Sequence, residues 1–316
     1  MRQQLKGWPG KEQALTATIM GGISAPLLTP YHENGEVNYE EYERLAGYVT
    51  GAGIHGVFVG GTTGEFVNLT LEERKKLLAA AKRGAAPGAK VMFNVTAMNL
   101  RDLQELLDWA GENGADAVSV TAPYYHQYDE EALVSYFCKV AEMAGGQPLY
   151  LYNMPGMTHN PIKTSILRKV TERCENLKGI KDSSMDFMTL LEFECEIDKP
   201  GFEIITGNDA QVLPALQSGG AGALIAMASV FPELCRSIWD LYQEGDLEGA
   251  MKAQKKVLKL RSLVRSIMPV MSHKAMIEMF GFSMGPARFP MRDLTGLERQ
   301  KVHSVMEELN LLPAGA

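Results

Sequence analysis

The feature that most constrains the fold of this 316-residue chain is a repeated alternation of short apolar runs with amphipathic segments. Runs in which nearly every residue is apolar, such as "KVMFNVTA", are typical of strands that are buried on both faces of a parallel sheet. Segments with helical periodicity lie between the runs, and several begin at capping residues, namely Asn38, Thr70, Asn99 and Asp129. The apolar runs occupy residues 21–31, 56–65, 90–97, 117–125, 148–155, 177–184, 202–209 and 221–229.

The chain thus has eight strand-then-helix units, and eight is the number of parallel strands that closes a sheet into this kind of barrel. An open doubly wound sheet usually has a glycine-rich phosphate turn after its first strand, whereas the first run here ends in "LLTPYHENG". The sequence therefore predicts an α/β fold, a (β/α)8 TIM barrel with a C-terminal helical appendage. We assign residues 1–18 to a polar N-terminal extension, 19–245 to the barrel and 246–316 to the appendage, because the chain beyond residue 245 has only helical periodicity.

Charge and composition make several kinds of partner unexpected. The formal net charge is −7 and no basic block is present, so neither nucleic acid nor an anionic membrane surface is an expected partner. No apolar run approaches the ~18 residues of a membrane span, and the N-terminal segment lacks the apolar centre of a signal peptide. The four cysteines are far apart and have no metal-binding spacing, which indicates a reducing compartment. We expect a cytoplasmic protein.

Two strand ends carry side chains suited to covalent catalysis, and in a (β/α)8 barrel the chemistry lies at the C-terminal ends of the strands. Lys181, in "LKGIKDSS", is the only lysine at such an end. It is either a salt-bridged residue of the barrel mouth or a Schiff-base nucleophile, because burial disfavours the ammonium and the neutral amine attacks carbonyls. Tyr152, at the end of the preceding apolar run, is then a candidate proton shuttle.

The loop "GGTTGE" at residues 60–65 follows the second run and matches no nucleotide-binding motif. Its glycines, including Gly61, let the backbone approach a ligand closely, so Thr62 and Thr63 are candidates to bind a carboxylate; a tight turn is the alternative. Glu65 fits a buried anchor of this loop better than an acid catalyst. The later runs lack a glycine-rich phosphate site, which disfavours a phosphorylated substrate, and the six histidines form no metal-binding pair, so we expect no metal.

Four motifs taken together resemble the dihydrodipicolinate synthase/N-acetylneuraminate lyase family: "GGTTGE", "TAPYYH", "YNMP" and "GIKDSS", in this order. The resemblance extends over roughly residues 19–312 and implies a class I, pyruvate-dependent lyase. It implies that Lys181 forms the imine with substrate and that Tyr152 shuttles protons. It also implies that Thr62 and Thr63 belong to the loop that holds the keto-acid carboxylate, with Thr62 linked to the shuttling tyrosine.

The resemblance implies further roles and partners. Tyr125 matches a relay tyrosine that reaches across from a neighbouring subunit, Ile225 matches a residue that packs on the pyruvyl methyl group, and Gly207 contributes backbone to the mouth. Family members are commonly dimers of dimers, so a homotetramer is expected. The expected small-molecule partners are pyruvate and an aldehyde or 2-keto acid, and no cofactor is expected because the imine on Lys181 is itself the electron sink.

Departures from the family pattern bear on the substrate. Met157 stands where the synthase pattern has an arginine for the carboxylate of the aldehyde, and methionine cannot replace a bidentate donor. His159 stands where a glycine is usual, which indicates a remodelled loop. Asp209 matches a sugar-binding position of the sialic acid lyase, but Ala210 replaces its neighbouring glutamate.

We therefore expect Asn208, Asp209 and His159 to bind the second half of a hydroxylated, non-phosphorylated substrate. The predicted reaction is the reversible cleavage or condensation of a 2-keto acid to pyruvate plus an aldehyde. Three alternatives stay open: dihydrodipicolinate synthase acting on aspartate semialdehyde, N-acetylneuraminate lyase, and a keto-acid dehydratase. An alternative of a different class is a catalytically silent barrel that binds ligands without turnover.

Overall fold

A closed barrel of parallel strands forms the centre of the protein, and the predicted (β/α)8 fold is confirmed. The computed structural model describes residues 18–313, so the predicted N-terminal extension, apart from Thr18, lies outside the described residues. Each strand pairs with the next along the chain, and the last pairs with the first. The strands are β1 Gly22–Pro26, β2 Gly56–Val59, β3 Lys90–Asn94, β4 Ala117–Thr121, β5 Leu149–Asn153, β6 Leu177–Asp182, β7 Glu203–Thr206 and β8 Gly222–Leu224.

Helices surround the barrel and continue beyond it. They are α1 Tyr39–Gly51, α2 Leu71–Gly84, α3 Leu100–Glu112, α4 Glu130–Met143, α5 Pro155–Thr158, α6 Thr164–Arg173, α7 Phe187–Glu196, α8 Val212–Ser218, α9 Pro232–Glu244, α10 Leu247–Arg265, α11 Pro269–Glu278 and α12 Gly296–Glu308. Helices α10 to α12 contact one another, and α10 also packs along α9. Within residues 18–313, no helix combines the length and the apolar character needed to cross a membrane.

The predicted capping residues begin the helices that follow them. Asn38, Asn99 and Asp129 each accept a hydrogen bond from a backbone N–H of the first turn. Thr70 forms a reciprocal capping box with Glu73 at the start of α2. These bonds satisfy donors that the first turn of a helix leaves without partners, so the capping positions identified from sequence fix where α1 to α4 start.

Side chains alternate between the inside and the outside of the barrel, because successive residues of a strand point to opposite faces. The interior holds an apolar cluster separate from the core between strands and helices; its buried members are Met20, Phe58, Met92, Ala117, Tyr150, Tyr152, Ile205 and Leu224. At the N-terminal end of the barrel, the buried carboxylate of Glu203 accepts the backbone N–H of Met20 at 2.9 Å. The interior is therefore filled at the N-terminal end of the barrel, and the polar ends of the strands lie at the C-terminal end.

Candidate active site

Lys181 is the penultimate residue of β6 and is buried, with 5% of its surface exposed. Its Nζ lies 4.0 Å from the ring centroid of Tyr152 and 5.0 Å from that of Phe58. Among residues 18–313, no carboxylate lies within the 4.0 Å that would make an ion pair with this amine. The structure thus supplies aromatic faces to Lys181 and no counter-charge, which argues against a salt-bridged role.

Tyr152 is the direct neighbour of Lys181 across the sheet, because the register of β5 and β6 pairs the two residues. Its hydroxyl lies 3.3 Å from Oγ1 of Thr62, within hydrogen-bond distance. Burial raises the pKa of the phenol, but the Lys181 ammonium and two neighbouring hydroxyls outweigh burial, so the pKa of Tyr152 lies below its ordinary value of 10.0. The hydroxyls belong to Thr62 and Ser183. A buried phenol that ionises readily beside an amine is suited to moving protons.

Hydrogen bonds from two neighbouring strand ends hold the loop at 60–65. The hydroxyl of Thr29 donates to the carbonyl of Gly64 at 2.7 Å. The side-chain amide of Asn94 donates to the carbonyl of Gly60 at 2.6 Å. Both donors are fully buried, so the loop is fixed to the barrel before any ligand binds.

The threonines of this loop are half-buried at the mouth of the barrel. Gly61 precedes them in a position where a Cβ would lie 2.6 Å from the ring of Phe58, so a side chain there would displace the ring beside Lys181. The hydroxyl of Thr62 is engaged with Tyr152. The hydroxyl of Thr63 has no hydrogen bond within residues 18–313 and is available to a ligand.

Gly207 leaves the space that the amine of Lys181 needs. Its N–H donates to the carbonyl of Asp182 at 2.6 Å, which draws the loop after β7 onto the end of β6. A Cβ at position 207 would lie 2.9 Å from Cε of Lys181 and would overlap Oγ of Ser183. Glycine at this position therefore allows the backbone to approach the amine closely.

Glu65 closes the loop with a buried ion pair to the C-terminal helices. Its carboxylate lies 2.6 Å from Nζ of Lys274 on α11, and both side chains are almost completely buried. Burial lowers the pKa of Lys274, and the negative charge of Glu65 acts in the opposite direction. Glu65 itself has a left-handed backbone with φ of 61°, a conformation that costs about 1–3 kcal/mol in a residue other than glycine. The buried anchor that the sequence indicated is present, and its partner comes from outside the barrel.

Two of the residues predicted to bind the second half of the substrate, Asn208 and Asp209, hold the loops after β7 and β8 in place. Oδ1 of Asn208 accepts the N–H of Ala210 at 3.2 Å. Oδ1 of Asp209 accepts the N–H of Met227 at 2.9 Å, which ties one loop to the other. Ile225 is fully buried and immediately precedes the short turn that contains Met227.

Two predicted site residues lie at the periphery. Tyr125 is 84% exposed with φ of 81°, and its ring contacts only that of His126, edge-on, at a centroid distance of 5.0 Å. His159 is exposed at the end of α5 with φ of 57°, a left-handed conformation that glycine adopts readily. Neither side chain makes a hydrogen bond with Lys181 or Tyr152.

Three residues of the site were not assigned a role from sequence. Phe58 carries no signal because it is one apolar residue within an apolar strand. Ser183 follows Lys181 in "KDSS", and its position two residues along from the amine was the one available clue. Lys274 sits in an ordinary helical pattern, and only the packing of α11 brings it to Glu65.

Comparisons with known proteins show what the chain is similar to. The sequence profile of the dihydrodipicolinate synthetase family matches residues 19–309. An uncharacterized DapA-like lyase of Pyrococcus horikoshii is 35% identical over 246 residues, which are 77% of this chain and 84% of that protein.

Solved structures show the same similarity. The structure of DHDPS from Cyanidioschyzon merolae with lysine bound has a TM-score of 0.89 at 25% identity and covers 93% of this chain and 100% of that one. YagE of E. coli K12, a prophage protein of the dihydrodipicolinic acid synthase family in complex with pyruvate, has a TM-score of 0.88 at 25% identity and covers 92% of this chain and 99% of that one.

The fold and the comparisons together define a barrel lyase that acts on carbon–carbon bonds. The chain belongs to the dihydrodipicolinate synthetase family. It is a carbon–carbon lyase of the aldolase type, as members of that family are.

Proposed function

We propose that the protein is a class I aldolase that forms an imine between Lys181 and the ketone of a 2-keto acid, and that it cleaves this acid reversibly to pyruvate and an aldehyde. The observation that carries the proposal is the buried amine of Lys181, which lies against the face of Tyr152 with no carboxylate beside it. A buried amine without a counter-charge is costly to keep as a structural element, and it is suited to nucleophilic attack.

The first half of the reaction places each group in turn. Thr63 and the loop at 60–65 hold the C1 carboxylate, and the Lys181 amine adds to C2, which loses its oxygen as water. Tyr152 then accepts the proton of the C4 hydroxyl. The C3–C4 bond breaks, its electron pair moves toward the imine nitrogen to give an enamine, and the aldehyde leaves.

The second half restores the enzyme. The Tyr152 oxygen returns a proton to C3 of the enamine, with Thr62 bonded to the phenol to hold it in position. Water hydrolyses the resulting imine, and pyruvate and the free amine of Lys181 are released. The iminium nitrogen receives the electrons throughout, so the proposed chemistry needs neither a metal nor an organic cofactor.

The substrate we propose is hydroxylated and non-phosphorylated, with pyruvate as the three-carbon product. The E. coli K12 relative in complex with pyruvate supports that product. Met157, at the position of the synthase arginine, is 62% exposed and offers no charge, which disfavours aspartate semialdehyde. Asn208, Asp209 and His159 remain our candidates for hydroxyl recognition, and Ile225 our candidate for the pyruvyl methyl group.

We also propose a cytoplasmic homotetramer in which Tyr125 completes the relay of a neighbouring subunit. Apolar side chains are also exposed on other loops at this end of the barrel: Val67, after β2, is 62% exposed, and Met98, after β3, is 48% exposed. A second subunit covering these residues would bury them together with the tyrosine.

Trapping of the imine tests the proposal. The protein is incubated with pyruvate and cyanoborohydride, and the adduct is located by intact mass and peptide mapping. We expect one pyruvyl adduct per chain, on Lys181, and none in Lys181→Ala. Lys178→Ala is the matched control, since Lys178 lies on the same strand and its ammonium donates to the carbonyl of Glu175 at 3.0 Å.

A folded wild-type protein without an adduct would contradict the proposal and favour a silent ligand-binding barrel. An adduct on Lys178 would also contradict it. Aspartate semialdehyde, added with pyruvate, is expected to give no turnover.

A further inference from the structure

Arg261 of α10 contacts the loop that follows β6. Its Nη2 lies 3.2 Å from Sδ of Met185, in the loop that leaves β6. Met185 is four residues after Lys181, so their Cα atoms are at most ~14 Å apart even in a fully extended chain. The guanidinium therefore lies at the same end of the barrel as the strand end that carries Lys181.

A second contact fixes α10 at the same end of the barrel. The side-chain amide of Gln254 donates to the backbone carbonyl of Asp209 at 2.7 Å. Gln254 and Arg261 are seven residues apart, so they lie on one face of the helix. Asp209 is two residues after Gly207, whose backbone lies against Lys181. Two points along α10 thus contact the loops after β6 and β7.

The guanidinium of Arg261 has no charged partner. Within residues 18–313, its one hydrogen bond is to the thioether of Met185, a weak acceptor, and no carboxylate lies within 4.0 Å. Arg288, by contrast, makes two bonds to the carboxylate of Glu73, at 2.7 and 3.0 Å. Arg261 is half-buried, so most of its five donors are unused in a partly desolvated position.

The charges around Arg261 favour an anion. Burial lowers the pKa of Arg261, as does the nearby charge of Arg265, whereas the carboxylate of Asp209 raises it. The two arginines outnumber the single carboxylate, and one oxygen of that carboxylate already accepts the N–H of Met227. The protonated imine on Lys181 would be a further positive charge at this end of the barrel.

We propose that Arg261 is a specificity-determining residue that binds a carboxylate at the far end of the aldehyde half of the substrate. The proposal rests on the proposed function and narrows it to hydroxylated 2-keto acids that carry a second carboxylate. Arg261 lies on a helix far along the chain and contacts the loop after β6, so it does not take the place of the synthase arginine, whose position in the loop after β5 is Met157. The hydroxyl-binding role of Asn208 and His159 is compatible with such a substrate.

The test compares two aldehydes of equal length in condensation with pyruvate: tartronate semialdehyde, which ends in a carboxylate, and glyceraldehyde, which ends in a hydroxymethyl group. In Arg261→Gln, we expect KM for tartronate semialdehyde to rise by about 10- to 100-fold, as for the loss of a charge-assisted hydrogen bond. KM for glyceraldehyde should stay within about two-fold of the wild type. Arg261→Lys should recover part of the loss, because it keeps the charge but not the planar fork.

Lys259→Gln is the matched control. It removes the same charge from the same helix, but Lys259 pairs with Glu308 of α12 at 3.0 Å. We expect it to change KM for neither aldehyde. A KM that rises equally for both aldehydes in Arg261→Gln, or for neither, would overturn the proposal.

A binding measurement keeps the proposal falsifiable if neither aldehyde turns over. Glycerate and glycerol are titrated calorimetrically into the pyruvate-saturated wild type and Arg261→Gln. We expect glycerate to bind the wild type at least about ten-fold more tightly than the variant, with no difference for glycerol. Glycerate that binds both equally, or neither, overturns the proposal. Pyruvate trapping on Lys181 should be equal in both proteins, and its absence from the wild type would instead refute the proposed function.

Discussion

Two lysines of this barrel are buried to nearly the same extent but in opposite surroundings. Lys274 is 1% exposed and lies 2.6 Å from the carboxylate of Glu65. Lys181 is 5% exposed and lies over the rings of Tyr152 and Phe58, without a carboxylate at ion-pair distance in the described part of the chain. The same side chain thus forms a closed ion pair in one place and faces the barrel mouth in the other.

The difference separates a lysine held in an ion pair from the lysine that we propose to react with the substrate. A buried charge that is paired can be retained as part of the scaffold, although a pair of this kind adds little net stability. Burying a lysine without a counter-charge costs free energy, so folding alone does not account for it. The contrast teaches that burial alone does not identify a catalytic lysine. A buried lysine that has no carboxylate partner is a much better candidate.

The largest expected effect comes from removing the reactive lysine. Lys181→Met should lower kcat for keto-acid cleavage by on the order of 10³-fold or more, because no other amine can form the imine. Its free energy of unfolding should not fall, since methionine places an apolar chain where an unpaired amine was buried. A coupled pyruvate assay and urea unfolding measure the two quantities.

Lys178→Met serves as the control and should keep both activity and stability. Activity of Lys181→Met within ten-fold of the wild type would remove the distinction between the two buried lysines.

The opposite pattern is expected at the paired lysine. Lys274→Met leaves the Glu65 carboxylate buried without its partner, which should lower the free energy of unfolding by about 3–5 kcal/mol in urea denaturation. The double variant Glu65→Gln/Lys274→Met should regain most of this loss because no charge is then left unpaired. A double variant as unstable as Lys274→Met would show that the two charges are not coupled. Glu65 also ends the loop of Thr62 and Thr63, so KM for keto acids should rise in the single variant.

The smallest expected effect is a shift in a titration. The Lys181 ammonium opposes burial in setting the pKa of Tyr152. Removing that charge in Lys181→Met should therefore raise the pKa, so that fewer phenolates form below pH 10.0 than in the wild type. The ultraviolet difference spectrum of tyrosinate measures this change, and Tyr152→Phe identifies the component.

Tyr150→Phe is the control on the same strand. Burial raises the pKa of Tyr150 well above its ordinary value, so this variant should leave the titration below pH 10.0 unchanged. An early-titrating component that persists in Tyr152→Phe would contradict the assignment.

Much of the fold follows from local pattern in the sequence. Apolar runs such as that of β3 are buried as predicted, and the caps at Asn38 and Thr70 start α1 and α2. These features depend on residues close together in the chain, so periodicity and capping chemistry are enough to locate them. Lys181 and Tyr152 could be predicted as site residues for the same reason, because a polar residue near the end of an apolar run can be recognised in the sequence.

Contacts between segments that are far apart in the chain could not be predicted from local periodicity. Lys274 and Arg261 lie in helices whose sequences give no sign of what they touch, and each meets its partner only when the C-terminal helices pack on the barrel. The sequence by itself determined the barrel, its helix starts and the lysine–tyrosine pair, because these depend on local periodicity and on neighbouring strands. Only the tertiary structure decided which buried lysine has a counter-charge and which arginine contacts the loop after β6, because electrostatic partners depend on distance in space and not on separation along the chain.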